Sequence, residues 1–203
     1  MAAPASKTIA NLNGKWTLNK TLSDSTEPAL ALQGIGWLLR KAISAATITI
    51  TAKQYKDENP PHATHIDIEQ LASGLKGTAE SRTLDWAPRE HKDWLFGRVE
   101  GRSRFLSLTE AAALVAEGGA ARVEGWADSD FLALDWLDGE GERVGPAGEG
   151  LMLSFVRADA GWIAAQFWGF QDVGGERRYV RNVTVSKEGK FENFKMVYDW
   201  VSE

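Results

Sequence analysis

Between Thr47 and Thr51 apolar and polar residues alternate strictly (TITIT), the period of a strand with one buried face. The residues just before it follow a different period. Ile35, Leu39, Ile43 and Ala46 recur at helical spacing. A helix is predicted over about 37–46, preceded by a shorter one that starts near Ser25 or Thr26, with Glu27 and Pro28 in its first turn, and ends near Gln33. Gly34 and Gly36 separate the two. Strand patterns occur at 14–22, 47–55, 64–71, 77–86, 92–100, 102–108, 151–158, 162–172, 176–186 and 190–201. Short glycine-bearing turns (DAG, VGG, KEG) join the last four as hairpins.

Nine or ten strands in meander order, with no parallel crossover, must close on themselves or leave two bare edges. The expected fold is therefore mainly β: an antiparallel up-and-down barrel with a helix–turn–helix lid after its first strand. A barrel of that width is not filled by its own side chains, so it encloses a cavity, and the helix pair caps the mouth. Residues 1–12 read as a loose polar tail, and 13–203 as one barrel domain. Residues 109–150 break the rhythm. They carry ten acidic residues against two arginines, offer helix patterns in EAAALVA and in SDFLALDWL (capped by Asp128 or Ser129), and end in a glycine-rich stretch expected to be mobile. This is an insertion between strands, too small to bury a core of its own.

Composition narrows the partners. The 203 residues include nine tryptophans, more than a core of this size needs, which points to an aromatic-lined cavity and a hydrophobic small-molecule ligand. A net charge of −5 disfavours nucleic acid. The absence of cysteine excludes disulfides and thiolate chemistry. The opening residues lack the apolar core of a signal peptide, and no apolar run reaches the roughly 18 residues of a membrane span. A cytoplasmic location is expected, and the oligomeric state is left open.

Candidate site residues lie on the late strands. Phe194, Met196, Tyr198 and Trp200 share one face and should point inward. On the preceding strand Tyr179, Val183 and Val185 form the more apolar face, and Arg181 shares it. A guanidinium inside a barrel needs a partner or a ligand oxygen. The opposite register, with Val180 inward and Arg181 solvated, is the alternative. Gln166 lies among Trp162, Trp168 and Phe170 and reads as a ligand-orienting amide, or as one satisfied by backbone. Trp94, Phe96 and Arg98 make another face, with Arg82 a companion. Both arginines also read as ordinary solvated residues. Trp37, just past the helix break, either touches a ligand or packs the lid on the barrel. His62 and His65 have metal-ligand spacing but no third ligand, so no metal is expected.

Three stretches carry a resemblance. NGKWTLNKTLSD followed by ALQGIGWLLRKAI resembles the opening of intracellular lipid-binding proteins. In those, a G-x-W strand precedes a helix–turn–helix with a G-x-G-aromatic-x-x-R-K run, here Gly34, Gly36, Trp37, Arg40 and Lys41. NKTLSD, GW-x-x-RKAI, HIDIEQ and GERRYVR are similar to a group of fungal lipocalin-like proteins, over roughly 13–186. The resemblance implies a calycin-type barrel without a cofactor. Some members are pericyclases that shape polyketide–amino-acid hybrids by cycloaddition or electrocyclisation, which makes the expected function a cofactor-independent cyclase. Arg181, Tyr179, Tyr198 or Gln166 would then grip a carbonyl. A non-catalytic carrier of a lipid or terpenoid is the alternative. One departure stands out. Fatty-acid-binding members of the animal family read Arg-x-Tyr on the last strand. Tyr198 matches, but Met196 stands in the arginine's place, which implies a less charged ligand.

Overall fold

A computed structural model describes residues 1–59, 62–116 and 130–203. Ten antiparallel strands make one sheet. They are β1 (Gly14–Leu18), β2 (Ile48–Lys56), β3 (Thr64–Ala72), β4 (Leu75–Thr83), β5 (Arg89–Asp93), β6 (Gly97–Leu106), β7 (Leu151–Ala158), β8 (Ile163–Val173), β9 (Glu176–Lys187) and β10 (Lys190–Ser202). Chain neighbours pair in the sheet, except β4 with β5. The first strand pairs with the last, so Trp16 lies opposite both Ile50 and Trp200. The sheet rolls into a nearly closed barrel whose two edges, β4 and β5, face each other across a seam. Side chains and loops cross that seam: the Trp86 backbone N–H donates to the Ser103 carbonyl at 2.9 Å, and Arg82 donates to Ser154 Oγ at 2.6 Å. Two helices, α1 (Glu27–Leu32) and α2 (Trp37–Ala45), follow β1 as expected. Among the described residues no helix is long and apolar enough to cross a membrane.

One boundary differs from expectation. The strand read over 92–100 is interrupted by a turn at Trp94–Phe96, closed by Gly97 at φ 72°, and β6 then runs unbroken through Gly101. The apolar residues of a hairpin tip facing a cavity imitate a strand in sequence. Gly101, read as a break, is a strand residue.

The barrel interior has a solid floor and a hollow upper half. Trp16 fills the floor, ringed by Phe170, Tyr179 and Trp200 at centroid distances of 6.4, 5.3 and 4.8 Å. The first twelve residues complete this floor and are not a loose tail. Ala3, Ile9 and Leu12 are buried in the same cluster. Gln54 accepts from the Leu12 N–H at 2.8 Å and donates to the Ile9 carbonyl at 3.1 Å, and Arg177 donates to the carbonyls of Pro4 and Lys7. A plug of this kind follows no secondary-structure period, so alternation could not reveal it.

The described parts of the insertion pack on the outside. Helix α3 (Leu108–Ala116) and a single 3-10 turn (Asp130–Ala133) bury Ala111, Leu114, Val115 and Leu132 against Leu153, Ala165 and Phe167. Strands β7 to β9 are thus covered on both faces, which explains why every residue of LMLSFV is buried. Asn182, buried on the outer face of β9, donates to the carbonyls of Phe131 and Leu134 at 3.1 and 3.2 Å, and Gln171 donates to Leu134 at 3.0 Å. Trp136 lies over Gly169, where a Cβ would meet Leu151 at 2.5 Å and Trp136 at 3.0 Å. The glycine-rich stretch is tied down, contrary to expectation: Glu142 takes a bidentate pair from Arg177 at 2.5 and 2.8 Å, and Arg143 pairs with Asp138. The expected caps Asp128 and Ser129 lie outside the described residues.

Two substitutions test this arrangement by urea denaturation. Leu12→Ala is expected to destabilise by about 2–4 kcal/mol, as for any emptied core site, whereas a loose tail would give no change. Gly169→Val is expected to cost about 1–3 kcal/mol by overpacking against Trp136 and Leu151. Wild-type stability there would mean the insertion does not pack on β8.

Candidate functional site

Alternation along each strand turns a set of side chains inward above the floor: Val99 and Ser103 from β6, Val156 from β7, Ala164 and Gln166 from β8, Arg181, Val183 and Val185 from β9, and Phe194, Met196 and Tyr198 from β10. They enclose a cavity of about 1430 Å³, well above the ~300–1,000 Å³ of ordinary small-molecule sites. Phe96 and Trp162 meet edge to face in its wall at 5.5 Å.

The lid closes the mouth loosely. Helix α1 buries Ala29 and Leu30 over the cavity, while α2 turns Leu39, Ala42 and Ile43 toward it and buries no residue fully. Glu27 links the pair, with its carboxylate 3.5 Å from both Arg40 and Lys41. Trp37 is 63% exposed and does not line the cavity. It falls off the face set by Leu39 and Ile43. Trp94, in the β5–β6 turn, stands at the rim, 65% exposed.

At the base of the cavity polar groups converge. Register aligns Trp168, Arg181 and Met196 in one row across β8, β9 and β10. The Arg181 guanidinium lies 3.7 Å from the Trp168 ring centroid, and its Nε donates to the Tyr179 hydroxyl at 2.9 Å. Tyr198 stacks on Tyr179 at 5.2 Å and donates to Met196 Sδ at 3.7 Å. From the seam, β4 sends Glu80 and Arg82 to the same place. Arg82 donates to Glu80 Oε2 at 2.6 Å as well as to Ser154, and its guanidinium lies 5.2 Å from the Trp168 ring centroid. The Trp168 N–H donates to Gln166 Oε1 at 2.9 Å, and Gln166 lines the cavity. Arg181 Nη2 is buried and, among the described residues, has no hydrogen-bond partner.

Burial and charge compete here. Burial alone would raise the Glu80 carboxyl, but Arg82 and Arg181 outweigh it and hold its pKa below the ordinary value. Burial alone would lower Arg181. The oxygens of Tyr179 and Tyr198 and the Glu80 carboxylate outweigh that, and the guanidinium stays charged. Both tyrosines are pushed up, chiefly by burial, and are neutral hydroxyls at neutral pH.

The structure therefore gathers Arg181, Tyr198, Gln166, Arg82, Trp94, Phe96, Trp162, Phe194 and Met196 around one cavity. Tyr179 and Trp168 sit one layer behind, buried and supporting Arg181. Phe170 lies deeper, in the floor, with the Arg177 guanidinium 3.8 Å from its ring. Arg98 points outward on β6 and pairs with Glu90. The turn before Gly97 separates it from the face of Trp94 and Phe96. Met196, in the place of the last-strand arginine, lies directly opposite an interior arginine. Arg181 is its direct cross-strand partner, so the interior keeps a guanidinium beside Tyr198, one strand over. Glu80, Ser103 and Ser154 were not singled out in the sequence. The only hint was that Thr78, Glu80 and Arg82 share a face on a strand with no apolar alternation. Among the described residues no cluster of His, Asp or Glu is placed to hold a metal ion.

Comparison with known proteins agrees with this architecture. No family model matches the chain. It is similar over its full length to two curated fungal proteins. One is a probable pericyclase, scpY, of Mollisia scopiformis (28% identity, covering 98% of this chain and 95% of that protein). The other is the pericyclase pydY of an Acremonium species (26%, covering 99% and 97%). Among solved structures it resembles the REP1-NXSQ fatty acid transporter (TM-score 0.50, 15% identity, 94% of this chain and 96% of that one) and a point mutant of the fluorescent protein UnaG (0.53, 14%, 94% and 96%). The fold is thus a barrel like those of the two solved structures, and the likeness to the two proteins named as pericyclases spans the chain.

Because the Glu80 pKa is depressed in the folded protein, the stability it contributes is present above the ordinary carboxylate range and lost as pH falls below it. Between about pH 5 and 3 the wild-type thermal midpoint is expected to fall more steeply than that of Glu80→Gln. Parallel slopes would contradict the Glu80–arginine pairing.

Proposed function

We propose that the chain is a cyclase that folds a hydrophobic, polyketide-derived intermediate in its cavity and promotes a pericyclic ring closure, by cycloaddition or electrocyclisation. The observation that carries this reading is the full-length similarity, at 26–28% identity, to two proteins named as pericyclases. The site chemistry suits it. In a pericyclic closure π bonds become σ bonds within one molecule, and no atom is gained or lost. Such a step needs the reacting carbons held in contact and the activating carbonyl polarised.

The apolar walls do the first. Trp162, Phe96, Val183 and Phe194 surround a chain-shaped volume that favours the curled conformer of a flexible polyene. Holding reacting ends together can supply several kcal/mol of a barrier. The base of the cavity does the second. Arg181 and Gln166 stand together at one end, fixed from behind by Tyr179 and Trp168. Hydrogen bonds that strengthen as charge shifts onto the carbonyl oxygen lower the transition state more than the ground state.

The purified protein should convert a linear polyene–tetramate precursor to one stereoisomer of cyclised product. Arg181→Met, with thermal midpoint and circular dichroism as fold controls, is expected to lower the rate about 10²-fold or more, as for loss of one preset oxyanion donor. Precursor that binds tightly and is recovered unchanged would assign the cavity to a carrier instead.

A further inference from the structure

The cavity also contains an acceptor. Register places Arg82 opposite Ile66 and Glu80 opposite Ile68, and both isoleucines are buried in the interior cluster. Glu80 and Arg82 therefore point inward, although their own strand carries no apolar alternation. Arg82 holds the carboxylate through Oε2 at 2.6 Å and is itself fixed to Ser154 Oγ at 2.6 Å. Ser154 lies directly opposite Gln166, so the carboxylate is anchored beside the polar end of the cavity. Among the described residues no hydrogen bond reaches Glu80 Oε1, and 33% of the side chain stays uncovered on a residue that lines the cavity. Arg82 and Arg181 keep the group ionised, and an ionised carboxylate accepts hydrogen bonds without donating any. Such an oxygen in an apolar hollow is costly until a donor meets it. The other carboxylates along the cavity are not equivalent. Asp67 and Glu69 lie on the outer face of β3, where Asp67 accepts from Ser81 Oγ at 2.6 Å. Asp24 accepts from the Lys195 backbone N–H at 2.8 Å, and Glu90 pairs with Arg98.

We infer that Glu80 is a ligand-contacting, specificity-determining residue: the molecule bound in the cavity presents a neutral N–H or O–H to Glu80 Oε1, and this contact selects it over analogues that lack the donor. The inference rests on reading the cavity as the substrate site and names a substrate class, an apolar chain with an amide or hydroxyl donor at its polar end. An ammonium is a stronger donor, but Arg82 and Arg181 act on the same carboxylate and repel a further cation. A neutral donor fills the open oxygen without adding charge. The contact discriminates well because an analogue without the donor leaves a charged acceptor unfilled. It also sets direction, with the donor at the base and the apolar remainder along Val183 and Phe194 toward the lid. Arg82 touches the carboxylate from the seam side and acts as a positioning residue for it.

The test titrates the full-length protein with matched fluorescent probes at neutral pH. One pair is N-methyl-12-(pyren-1-yl)dodecanamide and its N,N-dimethyl analogue. The other is 12-(pyren-1-yl)dodecan-1-ol and its methyl ether. The donor of at least one pair is expected to bind about tenfold or more tightly than its methylated partner, a difference that needs no variant to measure. Comparing the pairs shows whether an N–H or an O–H fits better. Glu80→Gln, which keeps the shape and removes the charge, should cut the preference to less than about threefold, and Glu80→Met should abolish it, with circular dichroism as the fold control. Equal affinities within both pairs, or no binding of any probe, overturn the inference. So does a preference that survives both substitutions, which would mark a steric effect of the added methyl, and so does tighter binding of 12-(pyren-1-yl)dodecylamine than of either neutral donor. Failure of the two readings is distinguishable. A protein that prefers the donors but leaves the polyene precursor unchanged keeps the Glu80 contact and loses the cyclase. One that cyclises the precursor yet holds donor and methylated probes alike does the reverse.

Discussion

The guanidinium of Arg181 has to keep its charge in a place nearly without water, and the interior of the barrel is organised around that requirement. Trp168 offers it a ring face at 3.7 Å, Tyr179 accepts one of its hydrogen bonds, and Glu80 supplies a counter-charge from across the seam. Tyr179 is two residues from Arg181 on the same strand, and the other two are distant in sequence. Trp168 and Tyr179 come from the hairpin strands β8 and β9, and Glu80 from β4 on the far edge of the sheet. The cluster exists only when the sheet has rolled far enough to bring β4 against β6 and β7. Arg82, which holds both Glu80 and Ser154, links barrel closure to the site. Closure and chemistry thus share one set of side chains.

A hollow of this size deprives the fold of packing that a filled barrel would have, and the remaining packing is placed accordingly. The floor is dense, with Trp16 and its ring neighbours sealed by the N-terminal segment. The outer face of β7–β9 is covered by α3 and the 3-10 turn, pinned by Asn182 and Gln171. The strands that carry Gln166 and Arg181 are therefore the most constrained in the molecule, being packed on the outside and anchored below. The lid is the opposite. Helix α2 is linked to α1 through Glu27 and buries no side chain fully, so the mouth is bounded by the element with the least packing to lose. Rigid donors beneath a lightly held cover suit a site that must admit a bulky apolar chain and then hold one end of it still.

Much of this was legible in the chain because a strand's period of two reports which face a residue occupies. The faces Tyr179–Arg181–Val183 and Phe194–Met196–Tyr198 follow from alternation, but which face of β9 turns inward does not, because both of its faces are buried. Alternation does not report height along the barrel. Gln166, Trp168 and Phe170 share a face, yet one lines the cavity, one supports Arg181 and one lies in the floor. It is also silent where the inward residues are polar. Glu80 and Arg82 sit on a strand whose pattern carries no hydrophobic signal, so the counter-charge of the site could not be read from it. Where apolar residues serve a hairpin tip, as at Trp94 and Phe96, the same pattern points to a strand that is not there. The helical spacing of Leu39 and Ile43 already placed Trp37 off the inward face, and its aromatic character drew attention to the wrong side of the lid.

The most direct measurement is a crystal structure of the protein soaked with a cyclised product or an unreactive substrate analogue. The account predicts apolar density along the hollow, with a ligand oxygen at the end lined by Arg181 and Gln166 and the rest of the molecule reaching toward α2. A ligand with its polar end at the mouth and hydrocarbon against Arg181, or a cavity filled by its own side chains, would contradict it.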